Sequence, residues 1–371
     1  MMTGNYSMKP ALQSACRCGL AWLLALVPAA VLAANPGALE RSKGEGDLLI
    51  YSNIAAYNWG PVLQAFHAKY PWIKAEALDL GPAEAFERYY SESSVKRHTA
   101  DLIAVAASDS WMRFMDRGQV EPYESAEAAK LPAWSKPAAG MYTISTDPVV
   151  VIYNRLLLKA KEQRPDSLDQ LAAQVRANPD LYAKRLTTYD ATSHPFAYAL
   201  HWAYINKRGA KGWETLRTLG PQTRPEGGGA TMVEKITAGE YVGAYFGSSV
   251  TFLRRMKEEG RERVLDWSLL RDGTPIMVRN IAITRAASHK SSAQLFLDFV
   301  LSHDGQIAVA KGGLTPYRPD VPKSAVPFLT FDSIRESIGE SNMILVGHDR
   351  AMLAQQDQFL KQWKAAYGLT R

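Results

Sequence analysis

Cysteine is almost absent. Cys16 and Cys18 are the only two in 371 residues, and both precede the apolar run Gly19–Ala34. Everything after that run lacks a thiol, which excludes thiolate metal centres, cysteine nucleophiles and stapling disulfides there. Such a chain is held by its core alone, and a hydrophobic content of 47% over this length is enough for two domain-sized cores. Charge of one sign is also scarce. The formal net charge is +6, it shrinks without Lys9 and Arg17, and no Arg/Lys run with interleaved aromatics occurs, so nucleic acid is not an expected partner. The mild surplus suits a small acidic ligand. GxSxG, HExxH, Walker and GxGxxG patterns are missing too. The histidines (His67, His98, His194, His201, His289, His303, His348) are scattered, with only His194 at a strand-to-helix junction. Neither catalysis nor a cofactor is expected from such a set.

Long hydrophobic runs are confined to one place. Lys9 and Arg17 precede Gly19–Ala34 (GLAWLLALVPAAVLAA), and Val31-Leu32-Ala33 offers a small-residue cleavage pattern, so residues 1–33 read as a signal peptide. The run contains Pro28 and falls short of the roughly 20 residues a membrane helix needs. A lipid-anchoring cysteine would follow the run, whereas Cys16 and Cys18 precede it.

From Asp47 apolar strands alternate with helical periods. Leu48–Ile54 reads as a buried strand, and Trp59–Tyr70 carries Val62, Leu63, Phe66 and Tyr70 on one helical face. Strand Ile73–Gly81, helix Pro82–Val95, strand Asp101–Ser108 and helix Asp109–Arg117 continue the rhythm, which predicts a parallel sheet covered on both faces. After a polar, Pro-rich interval (Glu121–Pro137), Met141–Leu158 is an extended apolar segment able to cross between domains. A second set follows: helix Ser167–Ala177, strand Arg185–Tyr189, helices Phe196–Lys207, Lys211–Leu219 and Thr231–Thr237, and strand Tyr241–Phe246. Pro275–Arg285 is a candidate return crossing, and helices Ser291–Leu301, Gly305–Lys311 and Met352–Tyr367 close the chain.

The stretch Leu181–Leu200 (LYAKRLTTYDATSHPFAYAL) concentrates the functional signal. A short strand gives way to a polar turn, Asp190 to His194, and Pro195 opens a helix whose free amides Asp190, Thr192 or Ser193 can cap. A helix start at the carboxyl end of a strand suits an anion.

Strand LLIYSNI, strand DLIAVAAS, the Tyr153-Asn154 pair after an apolar crossing, and above all SSAQLFLDFVLSHDGQIAVAKGGLTPYRPDV (Ser291–Val321) resemble the periplasmic solute-binding proteins of ABC transporters, within them the ferric-ion-binding-protein group. The resemblance spans roughly residues 45–325. It implies an α/β bilobal clamp of type II: two αβ lobes joined by extended crossings, with ligand held in the cleft between them. The lobes would divide as 34–147 for the first part of lobe 1, 148–274 for lobe 2, and 275–371 for the return to lobe 1 and the C-terminal helices. It also implies a monomer in the periplasm that delivers its solute to an ABC permease, or reports it to a histidine kinase.

One departure bears on the ligand. Ferric-binding members carry adjacent tyrosines where this chain has Ser248-Ser249, and phenolate oxygens are what hard ferric ion favours. A small anion (phosphate ester, phosphonate or carboxylate) fits better, with ferric iron as the alternative and no metal expected at the site. The candidate donors are Ser52, Asn53, Ser108, Thr192, Ser193, His194, Ser248 and Ser249, each where a strand yields to a loop, with Arg224 beside the Gly227–Gly229 loop as a candidate charge partner. Arg254 or Arg255 would be a second cation, and Tyr57, Trp59 and Trp111 candidate packing rings.

Overall fold

The computed structural model describes residues 36–258 and 260–369; the expected signal peptide, 1–33, lies outside them. Ten strands form one curled sheet: β1 (Leu48–Ser52), β2 (Ala75–Asp79), β3 (Leu102–Val105), β4 (Met141–Asn154), β5 (Leu186–Tyr189), β6 (Thr223–Glu226), β7 (Gly243–Ser248), β8 (Leu265–Ser268), β9 (Thr274–Ile283) and β10 (Met343–Val346). The order is β2-β1-β3-β9-β4-β7-β5-β6, with β10 beside β9 and β8 beside β4.

The first lobe is built on parallel β2, β1 and β3. β1 and β3 read as unbroken apolar runs because helices cover both faces. Leu48, Ile50, Leu102 and Ala104 pack with Trp59, Val62 and Phe66 of helix Ala56–Lys69 and with Phe296 and Val300 of helix Lys290–Leu301. Tyr51, Ile103 and Val105 point the other way, onto Phe86 and Tyr89 of helix Glu84–Ser94 and Trp111 and Phe114 of helix Ser108–Asp116. Side chains of successive strand residues alternate between the faces, so both need apolar cover.

The two apolar crossings pair with each other. β4 runs antiparallel to β9 over Met141–Pro148, then leaves it for β7 over Val149–Tyr153. β9 pairs with β10 at Thr274–Met277 and with β3 at Asn280–Ile283. All 14 residues of β4 and all 10 of β9 are buried, since this ribbon serves both lobes.

In the second lobe β5 runs parallel to β6 over Leu186–Tyr189 and to β7 at Leu186 and Thr187, and helices Leu168–Ala177, Pro195–Leu219 and Gly229–Thr237 supply cover. Ser167 caps the first of these, its Oγ accepting from Gln170 N at 3.1 Å. The C-terminal helices Phe331–Ile338, Arg350–Ala354 and Gln356–Tyr367 share this lobe's core, where Phe359 packs on Tyr198 and Tyr367 meets Tyr245.

Several elements depart from the sequence expectation. Helices Phe196–Lys207 and Lys211–Leu219 form one run broken at Gly209, whose φ of 57° and ψ of −134° suit only glycine. Gly209→Ala should therefore cost about 1–2 kcal/mol in urea unfolding at pH 7. Where a loop was expected at Ser248 and Ser249, the strand passes directly into helix Ser249–Arg255. β6, β8 and β10 were not expected. β6 is short, polar and contains Pro225, which a sheet tolerates at its edge, and β6 ends the strand order.

Candidate functional site

The two lobes meet at the crossing ribbon of β4 and β9. Asp147 of β4 and Arg279 of β9 form an ion pair at 3.3 Å, with side chains 5% and 9% exposed. Arg279 Nη1 also donates to Asn53 Oδ1 at 2.6 Å, and the Ala106 amide donates to the same oxygen at 3.2 Å. The Asn53 carboxamide thus ties the ends of β1 and β3 to β9. Asp147 further accepts from the Thr315 amide at 3.0 Å and the Ser145 hydroxyl at 2.9 Å. Burial pushes its carboxyl up, against the pull of Arg279 and of these donors.

Beside this pair, Asn280 gives its Nδ2 proton to Thr143 Oγ1 at 3.3 Å, while His348 Nε2 lies 2.9 Å from its Oδ1. His348 Nδ1 stands 3.4 Å from the Ser108 carbonyl. Burial lowers the imidazole's pKa, against the Ser108 carbonyl, and the neutral ring has one proton to give to two oxygen acceptors.

In the second lobe a further group of polar and aromatic side chains lies at the ends of β5 and β7. Val149 is in register with Ser248, which brings the end of β7 within two residues of Asp147 along β4. Tyr189 is pushed up to about 12 by burial, with the Ser248 amide and hydroxyl and Thr251 acting against it. A Cβ at Gly229 would lie 2.3 Å from Tyr189 Oη, so glycine is required for the 227–229 loop to approach. The His194 ring packs 6.0 Å from Tyr189 and 5.8 Å from Phe196, and burial lowers its pKa. His194 Nδ1 and Ser249 Oγ are both buried without a hydrogen-bond partner. Arg254 of the second lobe stacks on Tyr57 of the first, 3.6 Å from the ring centre.

The expected donors separate into two sets. Asn53 bonds the crossing ribbon, His194 and Ser248 contact Tyr189 with Ser249 next in sequence, and Ser108 is buried with its carbonyl toward His348. Ser52 is fully buried, its Oγ accepting from Ile54 N at 2.9 Å and Trp59 Nε1 at 3.0 Å, so its hydroxyl serves the first lobe internally. Thr192 turns inward on its own loop, its amide and hydroxyl both donating to Asp190 Oδ1 at 2.8 and 2.7 Å, and Ser193 is exposed. None of the three suggested residues caps helix Pro195–Leu219; His194 occupies the cap position without a side-chain bond. Arg224 sits on edge strand β6, 3.8 Å from Glu240. Arg255 pairs with Glu234, and Trp59 and Trp111 are buried in the first lobe.

Sequence reasoning missed Arg279, Asp147, Asn280, His348 and Tyr189. A signal existed for three of them. Asp147 and the Arg279-Asn280 pair interrupt runs otherwise apolar and buried, and a buried charge needs a partner.

A mixed α/β chain whose two lobes share a ribbon of long strands, with polar groups gathered where strand ends meet, is a two-lobed solute-binding clamp. Residues 97–336 match the family profile described as bacterial extracellular solute-binding protein, and the chain belongs to that family. Among solved structures it is similar to the substrate-binding protein of an ABC transporter from Agrobacterium tumefaciens (TM-score 0.75, 18% identity, covering 89% of this chain and 96% of that one). It is also similar to the periplasmic binding protein AfuA from Actinobacillus pleuropneumoniae with fructose-6-phosphate bound (0.65, 17%, 88% and 100%). A third is iron-bound HitA from Pseudomonas aeruginosa (0.63, 19%, 85% and 99%). No protein in the curated collection matches the sequence. At these identities the solved structures establish the fold.

Proposed function

We propose that this chain captures a small anionic solute (a phosphate ester, phosphonate or carboxylate) by cleft closure in the periplasm and delivers it to an ABC permease. The observation that carries the reading is the donor set: a buried guanidinium, Arg279, on the crossing ribbon, and a second lobe where Ser249 Oγ and His194 Nδ1 are buried without partners. Buried polar atoms left unpaired are uncommon in a folded protein, and a ligand's oxygens would satisfy the Ser249 hydroxyl and, in its Nδ1–H tautomer, the His194 ring. The fructose-6-phosphate bound to AfuA belongs to the same ligand class.

HitA is iron-bound, but ferric ion fits this donor set less well. Ser248-Ser249 offers hydroxyls in place of phenolates, and Tyr189, pushed up to about 12, is protonated at neutral pH.

The test is a thermal melt of ligand-stripped protein with a panel of sugar phosphates, phosphonates and carboxylates. A true ligand at about a hundred times its Kd adds roughly 2.7 kcal/mol, a shift of several degrees. A flat response to the panel, beside a large shift and a visible charge-transfer band with ferric citrate, overturns the anion reading. Ser249→Ala gives a residue-level check. Affinity should fall about tenfold while the ligand-free melt stays level or rises slightly, because an unpaired buried hydroxyl has been removed.

A further inference from the structure

We propose that His98, Asp101 and His289 form a site for a divalent transition-metal ion on the first lobe, at the end of β3 remote from the cleft. One ligand atom from each lies within 4.8 Å of the other two. Asp101 immediately precedes β3, and Ala106, which bonds Asn53, follows its other end, so the strand Leu102–Val105 separates the two sites.

Two of the three side chains are already fixed. Asp101 is wholly buried, and its carboxylate is aimed by three backbone amides: Oδ1 accepts from Ser288 and His289 at 2.9 Å each, and Oδ2 from Leu49 at 3.1 Å. His289 places Nδ1 3.0 Å from Asp101 Oδ2. The far edge of that ring is wedged against Gly46, where a Cβ would stand 3.0 Å from Nε2, and so the imidazole is pinned from both sides. Metal bonds of about 2.0–2.2 Å to nitrogen and oxygen put neighbouring donors roughly 3–3.6 Å apart, which the His289–Asp101 pair already meets. His98 supplies the third donor. Its ring is exposed, with its centre 5.4 Å from that of His289, and a side-chain rotation closes the remaining gap.

Two imidazole nitrogens and one carboxylate oxygen are a donor set for zinc, cobalt(II) or nickel, with water completing the shell. Coordination through His289 Nδ1 replaces the hydrogen bond to Asp101, and the ring proton moves to Nε2. The ion would clip the loop before β3 to the start of helix Lys290–Leu301.

The experiment uses the full chain with Cys16 and Cys18 replaced by serine, so that no thiol competes. Cobalt(II) titration should show one equivalent bound, with visible d–d absorption, and zinc should raise the melting temperature in a manner reversed by EDTA. His98→Ala should weaken cobalt binding by at least about tenfold, the lower end of the loss seen when even an outer-shell partner is removed. Its metal-free melt should be unchanged, because the ring is exposed. Ser249→Ala, in the cleft, should bind cobalt as the parent does. Absence of stoichiometric cobalt binding at micromolar concentration, or a His98→Ala variant that binds as tightly as the parent, overturns the proposal.

Discussion

Replacing Arg279 with methionine should destabilise the protein by about 3–5 kcal/mol and abolish capture of an anionic ligand. The substitution removes one partner of a buried ion pair and leaves Asp147, whose side chain is 5% exposed, as an uncompensated carboxylate at the junction of the lobes. Asn53 also loses a 2.6 Å donor, so the ends of β1 and β3 lose part of their tie to β9. The loss should depend on pH in a definite direction. Burial already raises the folded-state pKa of Asp147, and without the guanidinium it rises further. The penalty is therefore full at high pH and shrinks as pH falls and the carboxyl takes up a proton. Asp147→Asn in the Arg279→Met background removes the charge while keeping an acceptor for the Thr315 amide, and should restore more than half of the lost stability without restoring binding. Urea unfolding at pH 7 and pH 5, beside calorimetric titration with the ligand found by the melt panel, checks both halves. A variant as stable as the parent and still able to bind would remove the pair from the site.

Which parts of this arrangement were legible in the sequence follows from the range of the interactions. β1 and β3 were readable because burial on both faces writes a continuous apolar run into five or four residues. The crossings were readable for the same reason, being longer. The ion pair was not, because Asp147 and Arg279 lie 132 positions apart and each alone looks like an interruption of a strand. His348 reaches Ser108 across 240 positions from a C-terminal segment that shows little periodicity. Ser52 was misjudged for a subtler reason. At the end of a strand a shift of one residue reverses the side chain, and here Ser52 faces Trp59 while Asn53 faces Arg279. Arg224 was expected beside the Gly227–Gly229 loop as a charge partner, and the edge strand that carries it to Glu240 is too short and polar to recognise.

Acid should weaken the second lobe through His201, and His201→Phe should remove that sensitivity. The ring is fully buried within helix Pro195–Leu219, with ring centres 5.0 Å from Phe246, 5.5 Å from Trp363 and 6.0 Å from Tyr367. Thr188 Oγ1 lies 3.4 Å from Nε2, and Nδ1 has no partner. Burial holds the pKa down to about 3. The folded protein therefore refuses a proton that the unfolded chain accepts at about pH 6.5, so this contribution to stability is complete above pH 6.5 and is lost as pH falls toward 3. The slope approaches 1.4 kcal/mol per pH unit, which makes the loss about 2–3 kcal/mol by pH 4.5. The carboxylates titrate alike in both proteins, so the difference between parent and His201→Phe unfolding free energies at pH 7 and pH 4.5 isolates this ring. Equal pH dependence in the two would show that the imidazole finds a way to charge inside the fold. Thr188 leads directly into Tyr189, which shares a core with Phe246 and Trp363, the rings that His201 packs against. Ligand affinity in the parent should therefore decline with the stability of this lobe below pH 5, and the decline should be smaller in His201→Phe.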